Sequence, residues 1–110
     1  DTIGVADPTL ITSLLSLQIS AFPHIEFGAH LHSRPENIAE KVKAGMKAGC
    51  KRFDGALKGY GGCPMADDEL VGNIATEVMI DTLEAEGYDL KLNKLEFGEA
   101  MKLANFVFNS

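Results

Sequence analysis

Hydrophobic positions along this chain change period more than once, and each change marks a predicted element. Leu10, Ile11, Leu14, Leu15 and Ile19 recur at helical spacing and form a broad apolar stripe, as expected of a helix packed on a sheet. Asp7-Pro8 supplies an amino-terminal cap and a proline at the first helical position, where its missing N–H costs nothing; Pro23 closes the helix. From Ile25 the period drops to two. Ile25, Phe27, Ala29 and Leu31 then point one way, and Glu26, Gly28, His30 and His32 the other. The pattern predicts a strand over 25–31 with one greasy face and one chemical face. Ser33-Arg34-Pro35-Glu36 opens a second helix, with Ile38, Val42 and Met46 four apart and Gly49 as its stop.

A further strand is predicted over 51–57, with Phe53, Gly55 and Leu57 opposed to Arg52, Asp54 and Ala56. A glycine-rich loop follows, from Lys58 to Gly72. Asn73 is predicted to cap a helix ending near Gly87, and Asn93 to begin a last helix over 93–108. Asp1 to Ala6 has the character of a strand end entering a turn. Strand and helix thus alternate through short connections, which predicts an α/β fold with parallel strands, built from βα units.

Composition narrows the function. The chain has 110 residues, 45% of them apolar, and a net charge of −6, which describes one soluble globular domain. The acidic excess argues against nucleic acid as the partner. No apolar run approaches the roughly 18 residues that span a bilayer, and no secretory signal is visible. Cys50 and Cys63 do not make a disulfide framework, so a reducing, cytoplasmic compartment is expected. The first residue is Asp1 rather than Met, which suggests a trimmed or processed piece.

Three features carry chemistry. His30-Leu31-His32 places two imidazoles two apart at a strand end, where ligands gather in parallel α/β proteins. The pair reads either as two ordinary histidines or as a grip on one cation. Gly59-Tyr60-Gly61-Gly62-Cys63-Pro64 opens on the same face. It reads as a flexible turn with a buried thiol, as a thiol held for acid–base work, or, poorly, as a nucleotide cradle. Asn73 is a helix cap or an oxygen donor to a metal, two uses that compete for one atom. Asp1 and Asp54 both fall at strand ends.

Asp1-Thr2-Ile3-Gly4-Val5, His30-x-His32, Gly-x-Gly-Gly-Cys63-Pro64 and Gly72-Asn73-x-Ala75-Thr76-Glu77, in this order, resemble the 3-hydroxy-3-methylglutaryl-CoA lyase family. The resemblance runs from Asp1 to about Gly87, with a weaker tail. It implies the carboxyl-terminal part, about the last three βα units, of a (β/α)₈ TIM barrel. Residues 1–110 would form this partial lyase domain, with 93–108 a terminal helix packing on the barrel. The implied reaction is cleavage of 3-hydroxy-3-methylglutaryl-CoA to acetyl-CoA and acetoacetate with Mg²⁺ or Mn²⁺, a step of leucine degradation. Carried across, His30, His32 and Asn73 would ligate the metal. Cys63, His30 and Asp1 would be catalytic, Cys63 as the thiol on a mobile loop and Asp1 as an acid/base residue near the substrate hydroxyl.

The resemblance also implies an acyl-CoA thioester as partner, a homo-oligomer, and location in the cytoplasm or, in a eukaryote, the mitochondrial matrix. A barrel of this kind needs eight strands and about 250 residues. A missing amino-terminal part would therefore carry the family's substrate-meeting arginine and metal-binding aspartate, and the 110-residue piece alone would be inactive. Two departures stand out. The family follows its second histidine with an acidic residue, where this chain has Ser33, and the segment 65–71, with Asp67, Asp68 and Glu69, is longer and more acidic. Three rivals stay open: a related hydroxy-acyl-CoA lyase, a non-catalytic self-associating fragment, and a small nucleotide-binding domain.

Overall fold

The computed structural model describes residues 1–61 and 71–108. Helix α1 (Pro8–Ala21) starts as its sequence dictates: the Asp7 carboxylate accepts a 2.8 Å hydrogen bond from the Leu10 N–H, and Pro8 takes the first helical position. It buries Ile11 and sets Leu15 and Ile19 against the core. A turn follows, closed by the Ile25 N–H donating to the Phe22 carbonyl. This turn shortens the strand predicted over 25–31. Ile25 belongs to the turn and is exposed, and strand β1 is confined to Gly28–His30. Beyond Leu31 the chain pairs elsewhere, as strand β2 (His32–Ser33).

A 3₁₀ turn over Pro35–Asn37 leads into helix α2 (Ile38–Lys47), which ends where Gly49 N–H reaches the Met46 carbonyl and Cys50 N–H the Gly45 carbonyl. Strand β3 (Arg52–Asp54) is likewise shorter than predicted. It runs parallel to β1, with Ala29 opposite Phe53 and His30 opposite Asp54, as the βα reading required. After it, Ala56 bridges in parallel to Ala75, and Leu57–Gly59 coils into a 3₁₀ turn.

Strand β4 (Gly72–Asn73) lies antiparallel to β2, and helix α3 runs over Thr76–Ala85. The predicted cap at Asn73 is thereby corrected. Residues 72–75 are drawn into strand pairing, Ala56 N–H donating to the Ile74 carbonyl and Thr76 N–H to the Ala56 carbonyl, so the helix cannot begin until Thr76. Helix α4 (Lys94–Phe108) begins as predicted, with the Asn93 side chain accepting from the Leu95 and Glu96 N–H groups.

Helices α1, α2 and α3 stand side by side, α2 touching both neighbours. Together they cover one face of the strands. The core lies between, built on Ile11, Ala29, Leu31, Ile38, Val42, Ile74 and Met79. The opposite face carries Gly28, His30, Arg52 and Asp54, all exposed. Among the described residues no helix is long and apolar enough to cross a membrane.

Ile38 is 1% exposed at the centre of this core. Ile38→Ala is expected to lower unfolding free energy by about 2–5 kcal/mol, and Lys47→Ala, on the exposed side of α2, by less than about 0.5 kcal/mol. Urea denaturation checks both; equal effects would take Ile38 out of the core.

Candidate functional site

The site residues gather at the carboxyl end of β1 and in β2 and β4. His30 ends β1, and its exposed imidazole has Nδ1 3.9 Å from the Asp54 carboxylate on the register partner, beyond hydrogen-bonding reach. The His30 and His32 rings meet edge to face with centroids 5.1 Å apart. His32 is buried, and its Nδ1 lies 2.7 Å from the Asp1 carbonyl. A carbonyl only accepts, so Nδ1 carries the hydrogen and donates it, leaving Nε2 with a lone pair. Burial, largest, and the nearby Lys41 ammonium push the His32 pKa below its ordinary 6.5. The ring is thus held neutral, the form that binds metals.

Asn73 sits opposite His32 in the β2–β4 pair, so their side chains share a face. Its Nδ2 donates a 2.8 Å hydrogen bond to the Tyr60 carbonyl, which fixes the amide plane and leaves Oδ1 as the atom that could accept or ligate. The competition between capping and ligation does not arise, because α3 begins beyond Ala75 with no side-chain cap. Gly72 makes this approach possible: a Cβ there would lie 2.6 Å from the Gly59 carbonyl oxygen. Tyr60 is itself braced by Phe108, with rings stacked at 4.1 Å and its hydroxyl donating to the Phe108 carbonyl. Two imidazoles and one amide oxygen are a donor set that fits a small divalent cation. Among the described residues no three His, Cys, Asp or Glu side chains form a metal cluster.

The Asp1 carboxylate accepts hydrogen bonds from the Val5 and Ala6 N–H groups at 3.1 and 3.3 Å. It also pairs with the Lys41 ammonium at 3.6 Å, both side chains being nearly buried. Cys63, the predicted thiol, lies outside the described residues, as do Asp67, Asp68 and Glu69. Cys50 is buried before β3, at the end of the sheet away from the histidines, and its thiol donates to the Arg52 and Phe27 carbonyls. Sequence reasoning missed Lys41. The available signal was a charge on the inward side of α2, three residues after Ile38 and next to Val42.

The depressed His32 pKa has a measurable consequence. As pH falls, the unfolded chain takes up this proton first, so the stability due to neutral His32 is complete above about 6.5 and lost below it. Urea denaturation of metal-free protein on either side of that pH is expected to show the loss, and His32→Gln to flatten it. An unchanged pH slope in the variant would show that His32 does not carry the effect.

Comparison with known proteins places these features in one family. The model described as HMGL-like matches residues 1–107. A hydroxymethylglutaryl-CoA lyase of Bacillus subtilis is 35% identical over 97 residues, covering 87% of this chain and 31% of that protein. An (R)-citramalyl-CoA lyase of Chloroflexus aurantiacus is 34% identical over 87 residues, covering 79% of this chain and 27% of that protein. The crystal structure of the Bacillus subtilis HMG-CoA lyase superposes with a TM-score of 0.85 at 27% identity, covering 100% of this chain and 37% of that one. The chain therefore spans about a third of the relatives it matches, and its βα units correspond to part of their (β/α)₈ barrel. With the family model matching nearly every residue and relatives at 34–35% identity over most of its length, the chain belongs to the HMGL-like family of lyases.

Proposed function

We propose that the complete protein is a divalent-metal-dependent carbon–carbon lyase that cleaves 3-hydroxy-3-methylglutaryl-CoA to acetyl-CoA and acetoacetate. The observation that carries this reading is the edge-to-face pairing of His30 and His32 at a strand end, with Asn73 opposite His32 across the β2–β4 pair. These three residues hold Mg²⁺ or Mn²⁺ in the proposal. Such a cation supplies Lewis-acid polarisation of the substrate oxygen that becomes a carbonyl.

The remaining chemistry is proton transfer. The substrate hydroxyl gives up its proton, the bond between the second and third acyl carbons breaks, and its electron pair passes to the second carbon, alpha to the thioester carbonyl, as an enolate. That carbon then takes a proton to give acetyl-CoA. His30, exposed at the site and with its lone pair given to the cation in this reading, would meet the substrate through its remaining ring N–H, as a hydrogen-bond donor. Asp1 is the candidate base, although Val5, Ala6 and Lys41 already engage its carboxylate. The Cys63 thiol delivers the proton to the departing carbon.

The near-equal identity to a citramalyl-CoA lyase favours one second reading, a lyase of the same chemistry for a different acyl group. Ser33, buried beside His32 where the family pattern has an acidic residue, is a difference that bears on it. The deciding experiment supplies both thioesters to the complete protein with Mg²⁺ or Mn²⁺. Cleavage of the hydroxymethylglutaryl thioester, abolished by chelation, supports the first reading; cleavage of citramalyl-CoA alone supports the second. Turnover of neither removes both.

Cys63→Ser in the complete protein is expected to lower turnover by about 10²- to 10⁴-fold, with Mn²⁺ affinity unchanged. Loss of metal binding along with activity would make the thiol a ligand instead. Limited alkylation with mass-spectrometric mapping is expected to label Cys63 before the buried Cys50. The reverse order would exchange their roles.

A further inference from the structure

Lys41 is an unusual residue for the inward face of a helix. Its side chain is 6% exposed, and it shares that face with Ile38, Val42 and Gly45. A buried ammonium is costly unless each of its three N–H groups finds an acceptor. Lys41 donates to the His32 carbonyl at 2.9 Å and the Gly4 carbonyl at 3.2 Å, and forms an ion pair with the Asp1 carboxylate at 3.6 Å. They belong to two separate segments, the turn that opens the chain and strand β2. Gly4 can aim its carbonyl this way because it adopts φ +71°, a conformation that side-chain-bearing residues rarely take.

The same two segments are joined a second time, by the His32 Nδ1–H donating to the Asp1 carbonyl. The contacts close into a ring. Lys41 holds the Asp1 carboxylate, the Asp1 carbonyl holds the His32 imidazole, and the His32 carbonyl returns to Lys41. We infer that Lys41 is a positioning residue for His32: by clamping the Asp1 turn onto β2 it fixes the imidazole in the tautomer that presents Nε2. Groups around a ligating histidine commonly act this way, setting the ring's orientation and the basicity of its free nitrogen. Asp1 serves as the anion of the clamp and as the carbonyl that accepts from the ring. The inference rests on the metal reading only for its consequence; the ring of contacts stands without it.

The test uses the complete protein with ¹⁵N-labelled histidine and two measurements. In metal-free protein at mildly alkaline pH, the ¹⁵N shifts report which His32 nitrogen carries the hydrogen. Electron paramagnetic resonance of free Mn²⁺ then gives the affinity for Mn²⁺ alone. Wild-type protein is expected to show a single tautomer with hydrogen on Nδ1. Lys41→Met is expected to show a mixture of tautomers and Mn²⁺ binding weaker by about 10- to 100-fold. Because removing one member of a buried ion pair can unfold a protein, the double variant Asp1→Asn with Lys41→Met removes both charges and is expected to shift both readouts in the same direction. A folded variant that keeps the single tautomer and wild-type Mn²⁺ affinity would reduce Lys41 to packing and overturn the inference. Wild-type protein that binds no Mn²⁺ would overturn the metal reading instead, while the tautomer measurement would still decide the role of Lys41.

Discussion

Between His30 and His32 the backbone changes its hydrogen-bonding partner, from Arg52–Asp54 to Gly72–Asn73. The candidate site follows from that exchange. On one uninterrupted strand, residues two apart would stand about 7 Å from each other and point in parallel. Here the bend brings the imidazole centroids to 5.1 Å, edge to face, leaves His30 in the open and sinks His32 among backbone carbonyls. It also delivers Asn73 to the same place, since only a strand running back along β2 can set that amide opposite His32. The two imidazoles therefore differ in environment, one open to solvent and one enclosed, although the letters around them give no hint of a difference.

What was legible in the sequence was local. Asp7-Pro8 and Asn93 announced their helices because a cap and its N–H partners lie within a turn of each other. The stop at Gly49 was readable for the same reason. Errors arose where a distant segment intervened. Ile25 fits an alternating pattern, yet the hydrogen bond back to Phe22 holds it in a turn. Asn73 is a good cap by composition, but Ala56 and His32, far off in sequence, recruit its neighbourhood into strands. Lys41 was hidden for the opposite reason: a lysine in a helix is ordinarily a solvated residue, and only its three remote partners reveal that this one is enclosed.

The two faces of the strands divide the work. One presses Ala29 and Leu31 onto the helices and supplies cohesion. The other keeps His30, Arg52 and Asp54 in the open, where they contribute little to folding. The solved relatives are closed barrels, of which the chain represents about a third. A face assembled from exposed polar groups is unsuited to stand as a core.

The stack of Tyr60 on Phe108 makes the end of the last helix a neighbour of Asn73, with one residue's backbone between them. Tyr60 also stands three residues before Cys63 in the chain. The last described helix is thus a support for Tyr60 rather than a remote appendage. Its sequence is under a constraint that its exposed surface does not advertise: whatever replaces Phe108 must still present a flat ring to a tyrosine, or the frame around the amide of Asn73 loses one of its supports.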